Sequence, residues 1–479
     1  MSPDEFREHA HQLADWMADY FESVSELPVT PEVEPGDVFR QLPSSPPEQG
    51  EPFAQLFADF RSIVMPGMTL WNHPGWFAYF PGNNSPPSVL AEMLTATLGA
   101  QCMSWATSPA ATELEQLTMQ WLQRMLGLPD SFEGVIQDTA STATLVALLS
   151  ARERATGYTA GLKGLAESGA RLTVYASTEA HSSVDKGVKL AGYGLDQLRR
   201  VPVDRNYAMD PQALDQAIRS DLASGARPAC VVATVGTTSS TAVDPLSAIG
   251  EVCRRHDIWL HVDAAYAGTA AIVPELRPLF DGAELADSFV FNPHKWMLVN
   301  FDCSAYFVRD RTALLRTFQI TPEYLRTAQD AAVVNFRDWG IQLGRRFRAL
   351  KLWFVIRSYG VDGLRSIVRT HVALARELAG WIEQSSDFEL MAPVPFGLVC
   401  FRYCPGGSRD ESWLRELNRE LLARINATRR LHLTHTELGG RYVIRMVVGQ
   451  RMTGRAHVEE AWRTIQDSAE ALASGIPLG

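Results

Sequence analysis

Apolar side chains between residues 6 and 21 recur at three- and four-residue spacing: Phe6, Ala10, Leu13, Met17, Tyr20 and Phe21. That period predicts an amphipathic helix with one apolar face that must be covered by something. A proline-rich connector runs from Pro28 to Pro52. A second helical pattern follows, with Phe53, Leu56, Phe57, Phe60, Ile63 and Val64 on one side and a stop near Pro66-Gly67. Two helices on an extended linker rarely form a stable unit. The segment 1–84 is therefore expected to clasp the rest of the molecule or a second subunit, ending at Asn83-Asn84-Ser85-Pro86-Pro87.

From about 85 to 352 helical patterns alternate with short β-rich runs at 134–137, 172–175, 230–235, 258–262, 288–291 and 304–308. Such alternation predicts an α/β domain around a largely parallel sheet, with ligands gathered at the carboxyl ends of the strands. The last part, 353–479, mixes helices with short strands such as Leu398 to Phe401 and Tyr442 to Arg445, which predicts a smaller α+β domain. Neither an internal repeat nor a low-complexity tract interrupts this order.

Composition adds limits. With 479 residues, 46% hydrophobic and 21% charged, the chain has ample material for two or three packed units. The six cysteines (Cys102, Cys230, Cys253, Cys303, Cys400, Cys404) show neither a disulfide framework nor a paired zinc motif. Asp4, Glu5, Glu8 and Asp15 leave no basic leader at the start, and no window approaches 18 apolar residues. A cytoplasmic protein with reduced thiols is expected. The net charge of -11 disfavours nucleic acid or an anionic membrane as a partner.

The chemistry lies just after the strand runs. Lys295, in Asn292-Pro293-His294-Lys295-Trp296, follows the strand Phe289 to Phe291 and is placed to carry an aldehyde cofactor as a Schiff base. Asp263, in His261-Val262-Asp263-Ala264-Ala265-Tyr266, ends another strand, where a carboxylate can keep a pyridine nitrogen protonated. Alone, either residue is more often a solvated charge or a cap; together they form the pair that pyridoxal 5'-phosphate (PLP) needs. Asp138-Thr139-Ala140-Ser141-Thr142-Ala143 places free N–H groups and the Thr139 and Ser141 hydroxyls at a helix start, which suits a phosphate, although an ordinary N-cap has the same appearance. Asp138 would repel a phosphate and is expected to point away. His181 follows a strand and can lie flat on a cofactor ring, while Thr238 could bond near the ring hydroxyl or His181.

These motifs resemble those of the aromatic-L-amino-acid decarboxylases, group II members of the fold-type I PLP enzymes, in order and over essentially the full length. The resemblance rests on Trp76-Phe77-Ala78-Tyr79-Phe80-Pro81, Ser104 to Ala110, Gly134 to Gln137, Ala180-His181-Ser182-Ser183, His261 to Gly268, Asn292 to Trp296 and Leu343 to Arg348. It implies a seven-stranded, largely parallel sheet and a homodimer with a shared active site. Lys295 would carry the cofactor, Asp263 would pair with its ring nitrogen, His181 would stack on one face and Ala265 would pack on the other. Ala140, Ser141 and Asn292 would hold the phosphate; Thr139, Thr238 and His294 belong to the same cofactor shell. Tyr324 falls where the family keeps a Tyr on a mobile loop that reaches across the dimer and returns a proton. Gly82, Gln101, Met103, Phe301 and Gly344, with His181, would border the aromatic substrate. The implied reaction is decarboxylation of tryptophan, dihydroxyphenylalanine, tyrosine or phenylalanine; aldehyde synthesis and a silent PLP-binding protein are the alternatives. An aminotransferase and an acidic-amino-acid decarboxylase rank lower.

Overall fold

A computed structural model describes residues 1–169, 171–320, 329, 332–407 and 410–475. Seven strands form the main sheet: β1 (Glu133–Gln137), β2 (Leu172–Ser177), β3 (Leu198–Val201), β4 (Arg227–Thr234), β5 (Trp259–Asp263), β6 (Ser288–Phe291) and β7 (Ser304–Val308). Their order is β1-β7-β6-β5-β4-β2-β3, and β7 alone runs against its neighbours β1 and β6. Every residue of β2, β5, β6 and β7 is buried, as expected of strands covered on both faces. The sequence pattern anticipates six of the seven. It misses β3, Leu198-Arg199-Arg200-Val201, whose arginines hide any alternation and which becomes a strand by pairing with β2 at the sheet edge.

The two faces separate by the two-residue period of a strand. Tyr175, Val231, Leu260, Val262, Phe289, Phe291 and Phe307 pack into one core. Val135, Val174, Val232, Trp259, Val290 and Tyr306 pack into the other, against the alanine-rich helix Ala140–Ala155. This parity has a functional result: Gln137, Asp263 and Asn292, two residues beyond Val135, His261 and Val290, share the face on which that helix begins. Ser304, the first residue of the reversed strand β7, arrives at the same edge.

A second, antiparallel sheet of order β10-β11-β9-β8 is built from β8 (Phe388–Leu390), β9 (Leu398–Tyr403), β10 (Thr434–Leu438) and β11 (Arg441–Val447). The helices Glu411–Ala427 and Arg455–Ala473 contribute to its core. The long helical stretch Arg348–Gln384 joins the two regions and breaks at Gly360, whose φ of 66° favours glycine. Residue 352, expected as the domain boundary, lies inside the first half of this stretch, and one core draws on both sides of it, from Leu352 to Leu398 and Val443.

The N-terminal segment opens with the helix Pro3–Ser23, capped reciprocally by Ser2 and Glu5. No residue of that helix is buried in the protomer. Its inner face meets the helix Phe53–Asp59 and the turn beyond through Trp16, Phe57 and Phe60. The helix Pro86–Leu98 also leaves apolar residues uncovered, with Leu90 56% and Leu98 67% exposed.

Candidate active site

Lys295 stands in the short helix Pro293–Trp296, one turn beyond β6. Pro at the first helical position and the backbone bond from Lys295 N–H to the Asn292 carbonyl fix the turn. Asn83 secures it from outside: its Nδ2 donates to the Lys295 carbonyl at 2.8 Å and to the Gly449 carbonyl at 2.7 Å. The Lys295 ammonium lies 5.2 Å from the centre of the Phe80 ring. Burial lowers its pKa from the usual lysine value, Asp263 opposes that, and the Arg445 cation adds to it. A lowered pKa raises the share of neutral amine, the form that attacks an aldehyde.

Asp263 ends β5, buried, and its Oδ1 accepts the Ala265 N–H at 2.9 Å. The Ala265 carbonyl in turn accepts the Asn292 N–H at 3.0 Å, tying the ends of β5 and β6 together. The Asn292 side chain is oriented by Ser304, whose hydroxyl donates to Asn292 Oδ1 at 2.5 Å, so the amide N–H groups face elsewhere. Ser304 is itself paired in register with Gln137, the last residue of β1, three positions before the helix start at Ala140. Asn292 and the cradle residues thereby become neighbours.

At that helix start, the Thr139 hydroxyl accepts the Thr142 N–H at 3.4 Å and donates to Asp138 at 3.3 Å. It is thus committed to capping rather than left free for a phosphate. The N–H groups of Ala140 and Ser141 have no acceptor among the described residues, as the first turn of a helix requires. Asp138 is turned to Thr139 N–H and to Gln342 Nε2, the latter at 2.8 Å.

His181 lies just after β2 with an exposed ring. Its Nδ1 accepts the Ser183 N–H at 3.1 Å, and an amide can only donate, so the neutral imidazole carries its proton on Nε2. Desolvation lowers its pKa; Asp263 raises it and Lys295 lowers it. His294 is buried, accepts the Cys303 N–H at 2.9 Å, and is pushed to about 3 by burial and then by the Lys295 charge. It is a neutral prop for the lysine turn. Thr238 offers its carbonyl to Arg445 at 2.7 Å, while its exposed side chain makes no bond to His181 among the described residues.

An aromatic wall stands beside the lysine. Phe80 stacks on Tyr266 at 4.0 Å, Tyr266 on Trp296 at 4.7 Å, and Trp71 on Tyr79 at 5.6 Å. A Cβ on Gly82 would come within 3.2 Å of the Trp71 ring, so the glycine allows this close approach. Phe301, 65% exposed, tilts over His294 at 4.7 Å. Gln101, Met103 and Gly344 form a separate cluster. Gln101 Oε1 accepts the Arg345 N–H at 2.8 Å, its Nε2 overlooks Gly344, and the Met103 carbonyl accepts from Arg337 N–H. No hydrogen bond or ring contact joins this cluster to Lys295 within one protomer among the described residues. Tyr324 lies outside the described residues.

Two contributors escaped the sequence reading. Arg445, on β11 and buried, donates to the carbonyls of Tyr79, Thr238 and Ser239 and to the Thr434 hydroxyl, with its guanidinium 5.4 Å from the Phe80 ring. A charged residue within the apolar run Tyr442-Val443-Ile444-Arg445-Met446-Val447 is the signal that could have flagged it. Asn83 carried no signal beyond its place in a turn-like run.

The donor set fits PLP: an amine of lowered pKa, a buried carboxylate at the end of the neighbouring strand, backbone N–H groups at Ala140 and Ser141 unpaired among the described residues, and the side-chain amide of Asn292. Similarity to known proteins agrees. The pyridoxal-dependent decarboxylase conserved domain matches residues 35–404. The chain is 44% identical to the aromatic-L-amino-acid decarboxylase of Cavia porcellus, over 98% of this chain and 99% of that protein. It is 43% identical to phenylacetaldehyde synthase of Arabidopsis thaliana, over 98% and 97%. The crystal structure of Oryza sativa TDC with PLP and tryptamine superposes with a TM-score of 0.95 at 39% identity, covering 98% of this chain and 99% of that one. With the family domain spanning most of the chain and the lysine, carboxylate and donor groups assembled at one sheet edge, this protein belongs to the pyridoxal-dependent decarboxylases.

Proposed function

We propose that this protein decarboxylates aromatic L-amino acids to arylalkylamines and CO2, with PLP held on Lys295. The carrying observation is that the Lys295 amine stands 5.2 Å from the centre of the Phe80 ring, which itself stacks on Tyr266, at the strand edge that also bears Asp263. Trp71 and Tyr79, exposed on the same Trp71–Phe80 segment, are the apolar surface left for an aryl side chain.

Bound PLP supplies a protonated ring that takes up the electron pair left when the carboxylate departs. Asp263 would pair with the ring nitrogen and favour its protonated form. Ala140, Ser141 and Asn292 anchor the phosphate through N–H groups. Lys295 would hold the cofactor aldehyde through its amine, whose lowered pKa favours the neutral form. His181 presents the proton on Nε2 toward the substrate carboxylate and fixes its direction. Tyr324 returns a proton to Cα, a role that rests on the resemblance.

The working unit is a homodimer. The uncovered faces of the helices Pro3–Ser23 and Pro86–Leu98 favour it. A cytoplasmic location fits six free, buried cysteines; no helix among the described residues is long and apolar enough to cross a membrane.

The test offers purified protein with PLP each of L-tryptophan, L-dihydroxyphenylalanine, L-tyrosine, L-phenylalanine and L-glutamate, and scores amine, aldehyde and peroxide. Amine from an aromatic substrate, with none from glutamate, is expected. Aldehyde with peroxide would favour the second reading, an aldehyde synthase, which the 43% identity to phenylacetaldehyde synthase keeps in play. No product would overturn both.

A further inference from the structure

One residue at the start of the helix Ala140–Ala155 works against an anion. Asp138 stands between β1 and that helix. Its Oδ1 accepts the Thr139 N–H at 2.5 Å and the Thr139 hydroxyl at 3.3 Å. Both are donors that the turn would otherwise present alongside the N–H groups of Ala140 and Ser141. Oδ2 accepts from the neutral Gln342 amide at 2.8 Å. Among the described residues no cation forms a salt bridge with this carboxylate. Arg348, which feels its charge, is bonded to Asp302 at 2.7 Å. The negative charge therefore stays at the mouth of the cradle, half-buried and little compensated.

We propose that Asp138 sets the cofactor affinity of this enzyme below what its helix start would otherwise provide. Two effects act in the same direction. A fixed carboxylate repels the phosphate dianion, and it also withdraws two hydrogen-bond donors from it. Occupancy of Lys295 then follows the supply of PLP instead of being locked at all concentrations. The inference rests on reading Ala140, Ser141 and Asn292 as the phosphate cradle.

Equilibrium titration of the apoenzyme with PLP and with pyridoxal, followed by cofactor absorbance, tests both levels. Wild type is expected to bind PLP more tightly than pyridoxal. Asp138→Gly removes the charge and releases both donors, and is expected to lower the Kd for PLP about tenfold, or about 1.4 kcal/mol. Asp138→Asn removes the charge but keeps an acceptor, and is expected to lower it about threefold. Neither variant should move the Kd for pyridoxal, and the advantage over wild type should shrink as ionic strength rises. Gln342→Leu keeps the charge and should leave PLP affinity unchanged. Unchanged or weaker PLP binding in both Asp138 variants overturns the proposal, as does tighter binding in Gln342→Leu, which would assign the effect to the loop contact. Equal wild-type affinity for PLP and pyridoxal would instead remove the cradle reading, and this proposal with it.

Discussion

Asn83 holds the backbone of Lys295: its Nδ2 donates to the Lys295 carbonyl at 2.8 Å across 212 residues of chain. The same amide donates to Gly449 and accepts the Arg451 N–H at 2.9 Å, so one buried side chain joins the end of the N-terminal segment, the lysine turn and the C-terminal region. Asn83→Ala leaves the Lys295 and Gly449 carbonyls and the Arg451 amide to find other partners. It should cost about 2–4 kcal/mol of stability and weaken retention of PLP. Thermal unfolding of apo and holo protein, with cofactor content by absorbance, checks both; an unchanged Tm would show that Asn83 is not the clamp.

Asp263→Asn removes the charge proposed to hold the ring proton while nearly keeping the shape. The expected outcome is a bound cofactor with an altered absorbance spectrum and a kcat lower by at least about a hundredfold. Full activity in this variant would place the ring's partner elsewhere.

Acid should unfold the protein through its buried imidazoles. His261 and His371 are held at about 4 and His294 at about 3 by burial, against an ordinary value of 6.5. Because the folded pKa values are depressed, the unfolded chain binds protons first. The histidine contribution is intact above about pH 6.5 and is lost as pH falls toward 4. Asp244, raised to about 7 by burial, opposes this, since it loses stability as pH rises from 3.8 toward 7. Three histidines outweigh one aspartate, so Tm should fall between pH 6.5 and 5, as scanning calorimetry can measure. A flat Tm over that interval would contradict the burial of these rings.

The exposed face of the helix Pro86–Leu98 supplies a test of assembly. Leu94→Glu puts a charge on a surface that the dimer reading buries, and should yield monomer by light scattering together with loss of decarboxylation. A monomeric variant of full activity would show that each site is complete alone.

Tyr324→Phe should lower amine yield and raise aldehyde and peroxide, measured by product chromatography. Unchanged products would remove Tyr324 from the proton-return step.

Much of this was legible in the chain itself. Strand runs of apolar residues ending in Asp263 or followed by Asn292 to Lys295 announce a parallel sheet with chemistry at one edge, because burial on both faces and the two-residue strand period act locally. The places of His181 after β2 and of a helix start near Ala140 after β1 were readable for the same reason. The parity of strand faces that brings Gln137, Ser304, Asn292 and Asp263 together depends on a strand order no local pattern contains. β3 was invisible because edge pairing, not propensity, makes it a strand. Thr139 looked free for a phosphate until the structure showed its hydroxyl shared between Thr142 and Asp138. Asn83 and Arg445 act at a range of hundreds of residues through carbonyl groups, which any sequence supplies and only folding aims. Residue types and their periods thus determined the kind of chemistry, since side-chain reactivity and strand burial are local properties. The tertiary structure decided which groups meet, which donors remain free and which charge stands unanswered, because those depend on distances that the chain acquires only when its strands are ordered.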